Sequence, residues 1–454
     1  MTFRTVDRTH LQQLVEQETD RFQEHHPRSR ELRETAREHL LGGVPMPWMT
    51  QWAGGYPVVL DHAEGARITD IDGHEYVDFC LGDTGAMAGH APAATVAAVE
   101  RQARRGITTM LPTEDAAWVG AELARRFGLP FWSFTLSATD ANRFALRAAR
   151  FVTGRQKLLV FNHCYHGSVD ETLAIADAHG ATIRGRGNKG APVDLALTTK
   201  VVEQNDIAAL EAALAPGDVA AVLAEPALTN IGIVPPEPGF HEALREITRR
   251  TGTLLIIDET HTISSGPGGY TAAHGLQPDL LTVGKALAGG VPVGMYGFSE
   301  DVAEKLAELG DPDLGGTGGV GGTLAGNALS LAALRATLEH VLTDDAFARM
   351  IELAGGYARA AAEIIREREL PWTIVQLGAR AEYRFTPTVP RNGGESAAAD
   401  DWLLDEYMHL FMLNRGVLIT PFHNMALMCP ATTASDVDRL VATFTEAADM
   451  LVSA

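Results

Sequence analysis

Residues 253–290 read TLLIIDETHTISSGPGGYTAAHGLQPDLLTVGKALAGG. Two apolar runs stand out, residues 254–257 and 280–283, each too short for a helix and each bounded by breakers, as a buried parallel strand is. Asp258 closes the first run, and Lys285, one residue past Gly284, closes the second. Two strand ends therefore deliver an acid and an amine toward one crevice, and in open α/β sheets ligands sit in the crevice at the carboxyl ends of the strands.

Two readings of that pair are open on spacing alone. One is a buried salt bridge. The other makes the pair opposite ends of one cofactor: pyridoxal phosphate takes a lysine for its covalent attachment and an acid to keep its ring nitrogen protonated, because a pyridinium is an electron sink.

Composition narrows the field. The chain has 454 residues, 46% hydrophobic and 21% charged, enough to bury a large core and to divide into more than one lobe. Its net charge of −21 and lack of any large Lys/Arg cluster make nucleic acid and anionic membrane poor partners. No uncharged apolar run is long enough to cross a bilayer. The opening MTFRTVDRTHLQQLVEQETDRF is charged throughout, unlike a secretory signal, so a cytoplasmic protein is expected. Cys80, Cys164 and Cys429 are widely separated and form no CxxC pair, so buried thiols are expected, with no disulfide and no metal site.

Along the chain, residues 7–41 read as an amphipathic helical arm ending at Gly42-Gly43. The proline-rich VPMPWMTQWAGGYP follows, a loop whose tryptophans should pack over something. Asp72-Gly73 marks a hairpin. Residues 137–140 offer Ser, Thr and Asp at the start of an Ala/Arg-rich helix, and a helix start is an anion site. Alternating strands and helices up to residue 297 predict a mostly parallel sheet covered on both faces. The last hundred residues mix helices with WTIVQLG, RAEYRFTP and GVLITP, a smaller α+β lobe, in which residues 391–399 read as an exposed loop.

Seven ordered motifs identify a family: DIDGHEYVDF, SATDANRFALRAAR, YHG, AEPALTNIGIVPPEPGFHEALREIT, LLIIDET, DLLTVGKALAGGVPVG and GGTLAGNALSLAA. Together they resemble the class III, fold type I aminotransferases, nearest to the glutamate-1-semialdehyde aminomutase branch. The resemblance implies a pyridoxal 5'-phosphate enzyme with a seven-stranded, mostly parallel α/β large domain. It places an N-terminal arm and part of the small domain at 1–60, the large domain at 61–335 and the C-terminal small domain at 336–454. It makes Lys285 the lysine that carries the cofactor and moves the substrate's Cα proton. A lysine is cationic in neutral water, so burial beside a pyridinium is the expected means of keeping it neutral. By the same resemblance Asp258 meets the ring nitrogen, Glu225 supports that site, Asn230 lies near the ring's phenolic oxygen, and Tyr165 stacks on the ring, with His166 in the same turn. Ser137, Ala138 and Thr139 hold the phosphate, with Ala138 standing where the family has glycine. Thr323 reaches the phosphate of a neighbouring subunit, which implies a homodimer with shared sites.

The departures bear on substrate. The branch places an arginine after Gly-Gly-Val to grip a carboxylate, whereas this chain has Pro45-Met46-Pro47-Trp48-Met49, better suited to an apolar substituent. Thr260 replaces the family's valine, Asp83 falls where a large aromatic is common, and Arg380 is the first candidate for a substrate carboxylate. The resulting expectation is a ping-pong transaminase that takes its amino group from an amine, β- or ω-amino acid donor and gives it to a keto acid or aldehyde. The alternative is an aminomutase or a racemase on the same fold.

Overall fold

The structure is a computed structural model that describes residues 3–185, 187–190, 192–308 and 319–453. It divides into two units, one of residues 93–347 with 390–398, the other of residues 1–92, 348–389 and 399–454.

The larger unit is built on a seven-stranded sheet. Its strands are β1 (Phe131–Thr135), β2 (Lys157–Phe161), β3 (Thr199–Val202), β4 (Val219–Ala224), β5 (Leu254–Asp258), β6 (Leu280–Val283) and β7 (Gly294–Phe298). The order across the sheet is β1-β7-β6-β5-β4-β2-β3. β7 runs antiparallel to both neighbours and the other pairings are parallel. VAAVLA, LLIID and LLTV are buried at every position, because a strand covered on both faces has no residue free to meet water. The helices Ala138–Thr153 and Phe240–Thr251 bury Ala141, Phe144, Ala145 and Ala148 and Phe240, Leu244 and Ile247 against it. β5 and β6 are parallel neighbours, with Asp258 opposite Thr282, so the acid and the lysine of the opening stretch leave adjacent strand ends. Lys285 has φ +54°, a conformation costly for a non-glycine residue, of the order of 1–3 kcal/mol, and typical of functional positions.

The smaller unit holds the helices Arg8–His25 and Pro27–Ala36, a single expected arm that breaks where Pro27 cannot continue the ladder of the first helix. Its hairpin Arg67–Asp70/Glu75–Asp78 turns at Gly73, φ +94°, as Asp-Gly predicts. The strand Glu75–Asp78 also pairs with Val417–Leu418. That pairing carries residues 61–92 into the smaller unit, so the boundary falls at 92/93 rather than 60/61, and the second falls at 347/348 rather than 335/336.

The expectation of an exposed loop at 391–399 is corrected. Residues Gly393–Ala398 are a short helix of the larger unit. Gly393 lies so close to the Asn162 carbonyl that a β-carbon would collide with it, and the buried Ser396 hydroxyl donates to the Ile231 carbonyl. β3 forms one edge of the sheet beside β2. The beginning of the glycine-rich run, residues 315–318, lies outside the described residues. All three cysteines are buried and free. No described helix is long and apolar enough to cross a membrane.

Candidate active site

Asp258 ends β5 almost completely buried. A lone carboxylate there would take up a proton, but this one is surrounded by donors. Its Oδ2 accepts from His166 Nδ1 at 2.9 Å and Asn142 Nδ2 at 2.8 Å, and its Oδ1 from the Thr260 amide at 3.0 Å and hydroxyl at 2.5 Å. Burial raises its pKa, yet the His166, Thr260 and Asn142 bonds outweigh burial and hold it below the usual carboxylate range. His166 responds in the opposite sense. Burial depresses it, but Cys164 and the Asp258 carboxylate beside it push it well above the ordinary histidine value. Asn142 is itself fixed by Thr282 of β6, whose hydroxyl donates to its Oδ1 at 2.6 Å.

The turn carrying Tyr165 is tied to the next strand. Glu225, just past β4, accepts from the Tyr165 amide at 3.1 Å and from the Thr229 amide and hydroxyl at 3.0 and 2.6 Å. Glu225 thus positions backbone, and burial raises its pKa. Asn230 follows in the same turn, half-buried, its backbone bridged to Gly232.

Ser137 caps the helix Ala138–Thr153, its hydroxyl accepting from the Asp140 amide at 3.2 Å. The first turn of such a helix has amides with no partner in its own ladder, which suits an anion. Ala138 is the first helical residue and is absent from the positive-φ positions, so the glycine usual there in the family is not needed for the turn. Two glycines do matter. At Gly167, φ +77°, a β-carbon would strike Thr139, whose hydroxyl accepts from the Ser168 amide at 3.2 Å. At Gly284 it would come within 3.2 Å of the Ala138 amide nitrogen. The turn after β2, the helix start and the approach to Lys285 therefore meet in one small region.

Lys285 Nζ lies 2.8 Å from His261 Nε2. The larger unit thus brings together Asp258, His166, Thr260, Tyr165 with Glu225, and Ser137 to Thr139 with Lys285. Thr323 is in the same unit, exposed in a turn. Trp48, Asp83 and Arg380 belong to the smaller unit. There Trp48 is about half exposed with its ring 4.9 Å from Phe422, while Asp83 and Thr84 lie in a loop with φ +50° and +79°. Arg380 is completely buried and donates to Thr84 Oγ1 at 2.7 Å. Also in the smaller unit, ligand atoms of His26, Asp70 and His74 lie within 4.8 Å of one another, a grouping that no sequence spacing announced. The Tyr76 hydroxyl links two of them, 2.8 Å from His26 Nε2 and 2.7 Å from Asp70 Oδ2.

Sequence reasoning missed Asn142, Thr282 and His261. Asn142 carried a legible signal, since a poor helix former amid alanines calls for a side-chain partner.

An ionised acid at one strand end, a lysine at the next and a helix start locked beside both fit pyridoxal 5'-phosphate in charge and in donor set, and with this sheet they define a fold type I pyridoxal-phosphate enzyme. Residues 49–448 match the family described as aminotransferase class-III, and the chain belongs to it. Among curated relatives, a glutamate-1-semialdehyde 2,1-aminomutase 2 of Brevibacillus brevis is 34% identical over 424 residues, 91% of this chain and 96% of that one. Among solved structures, a glutamate-1-semialdehyde-aminomutase from Pseudomonas aeruginosa PAO1 is 53% identical with a TM-score of 0.96, covering 98% of this chain and 99% of that one. An omega-transaminase from Sphaerobacter thermophilus is 29% identical with a TM-score of 0.86, covering 93% and 97%.

Proposed function

We propose that this chain moves an amino group within one carbon skeleton, as an aminomutase, with Lys285 as the residue that moves protons and Asp258 as the anion facing the ring nitrogen. The observation that carries the reading is the pair of strand ends, with Lys285 just past β6 and beside His261, and a fully bonded, ionised Asp258 at the end of β5. When bound, the cofactor supplies the electron sink that makes a Cα proton removable. Lys285, through Nζ, would take that proton and give it back, and Tyr165, anchored through its amide by Glu225, would stack on the ring. Ser137, Ala138 and Thr139 would receive the phosphate and Asn230 and Thr260 would border the ring oxygen, while His166 keeps Asp258 in place. The names of the relatives at 34% and 53% identity support the aminomutase form of the reaction.

A second reading, intermolecular transamination of a donor with an apolar substituent, is favoured by the loop at 45–49, where Trp48 stands on Phe422 and no arginine is present. In that reading Arg380 or Asp83 governs the far end of the substrate. We assign the protein to the cytoplasm and to a homodimer in which Thr323 completes the neighbour's phosphate site. The exposed apolar Ile107, Met110, Leu111 and Leu324 of the same unit support a subunit interface.

The experiment is turnover of glutamate semialdehyde by the holoenzyme without any keto acid. Formation of its amino-shifted isomer supports the aminomutase. Consumption of an aryl β-amino acid only when a keto acid is added replaces it with the transaminase. In either case Lys285→Ala is expected to lose at least about a thousandfold in turnover, roughly 4 kcal/mol of barrier.

A further inference from the structure

We propose that His261 is a positioning residue for Lys285, accepting a proton from its amine and holding that amine in line for reaction. The proposal rests on the reading of Lys285 given above. His261 is buried, and its Nε2 lies at hydrogen-bonding distance, 2.8 Å, from Nζ.

The backbone around His261 is pinned on both sides. Thr260 is held to Asp258 Oδ1 by its amide and hydroxyl, and Thr262 donates its hydroxyl to Glu259 Oε2 at 2.5 Å. Glu259 is held in turn by the Tyr270 and Thr271 amides at 3.1 and 2.5 Å, and its backbone carbonyl receives the Ile263 amide at 2.8 Å. Lys285 approaches from a turn at φ +54° whose preceding glycine would set a β-carbon 3.2 Å from the Ala138 amide nitrogen, a tight contact. A histidine fixed this firmly against a lysine has little freedom to act as filler. In this role the hydrogen bond runs from Nζ to Nε2. When Lys285 is an ammonium, one N–H bond breaks at Nζ, the new N–H bond forms at Nε2, and the electron pair left on Nζ is the nucleophile. The imidazolium returns the proton when the amine is released again.

The test needs no substrate. Apo-enzyme is mixed with pyridoxal 5'-phosphate, and recombination is followed by absorbance in the wild type, His261→Ala and His261→Gln. Borohydride reduction and peptide mass mapping then locate the attached group. The expected result is attachment at Lys285 in all three proteins, with recombination slowed about ten- to a hundredfold in His261→Ala, the size of a hydrogen bond to a charged group. Added imidazole should restore much of the rate in His261→Ala, and Gln, which accepts a hydrogen bond but takes no proton, should restore only part of it. An unchanged rate in His261→Ala overturns the proposal. A slow rate that neither imidazole nor Gln repairs also overturns it, because the loss is then structural. Attachment elsewhere than Lys285 in the wild type overturns the lysine reading itself, a different failure from the first two.

Discussion

Two aspartates, one in each unit, are pushed in opposite directions. Asp258 of the larger unit is the more deeply buried, yet its pKa is lowered because four donors surround its two oxygens. Asp405 of the smaller unit is partly buried, and its pKa is raised to about 6 by that burial, with the Asn424 side-chain amide at 2.8 Å opposing. Burial alone therefore does not decide the charge of an acid; the number of donors that the fold aims at it does. The larger unit builds a lasting anion at the end of β5, and the smaller unit leaves an acid that titrates close to neutrality.

The sharpest way to break this contrast is Asp258→Asn, which keeps the shape and removes the charge. Turnover is expected to fall by about a hundredfold or more, roughly 3 kcal/mol, with a weaker hold on pyridoxal phosphate, measured by steady-state kinetics and equilibrium dialysis. A smaller step in the same direction is Asn142→Ala. It removes one of four donors from Asp258 and leaves the Thr282 hydroxyl without its acceptor. About a tenfold loss of turnover is expected, near 1.4 kcal/mol, with Lys285 still labelled by borohydride reduction. A turnover equal to the wild type's would mean that His166 and Thr260 suffice to hold the charge.

What the sequence disclosed follows the same division. In the larger unit the apolar runs around Asp258 and Lys285 were readable because a strand buried on both faces has to be apolar throughout, and the helix start at Ser137 because its cap residue is polar. Asn142 and His261 were harder to read, since their partners Asp258 and Lys285 lie 116 and 24 positions away and meet them only once the sheet is assembled. In the smaller unit legibility was poorer. Arg380 stands out in sequence as a candidate for a substrate carboxylate, but only the fold shows it completely buried on Thr84, itself at φ +79°. In the larger unit, the helix Gly393–Ala398 was hidden for a related reason. Its sequence is glycine-rich and polar, and it is ordered by contacts to Asn162 and Ile231, which no local pattern encodes.

The weakest expected effect sharpens the comparison from the other side. Asp405 has a folded pKa of about 6, above the value near 3.9 of an unfolded aspartate. The stability linked to its proton is therefore fully present below about pH 4 and is lost as the pH rises through 6. Arg384 favours the charged form, while Asp400 and Asp401 oppose it. Asp405→Asn keeps an oxygen to accept from Asn424 and never ionises. Its unfolding free energy from urea titration should match the wild type's near pH 4 and exceed it at pH 8, by about 1 kcal/mol once partial exposure is allowed for. A variant less stable than the wild type at pH 8 would mean that the ionised Asp405 is paired, and that the two aspartates differ in degree and not in kind.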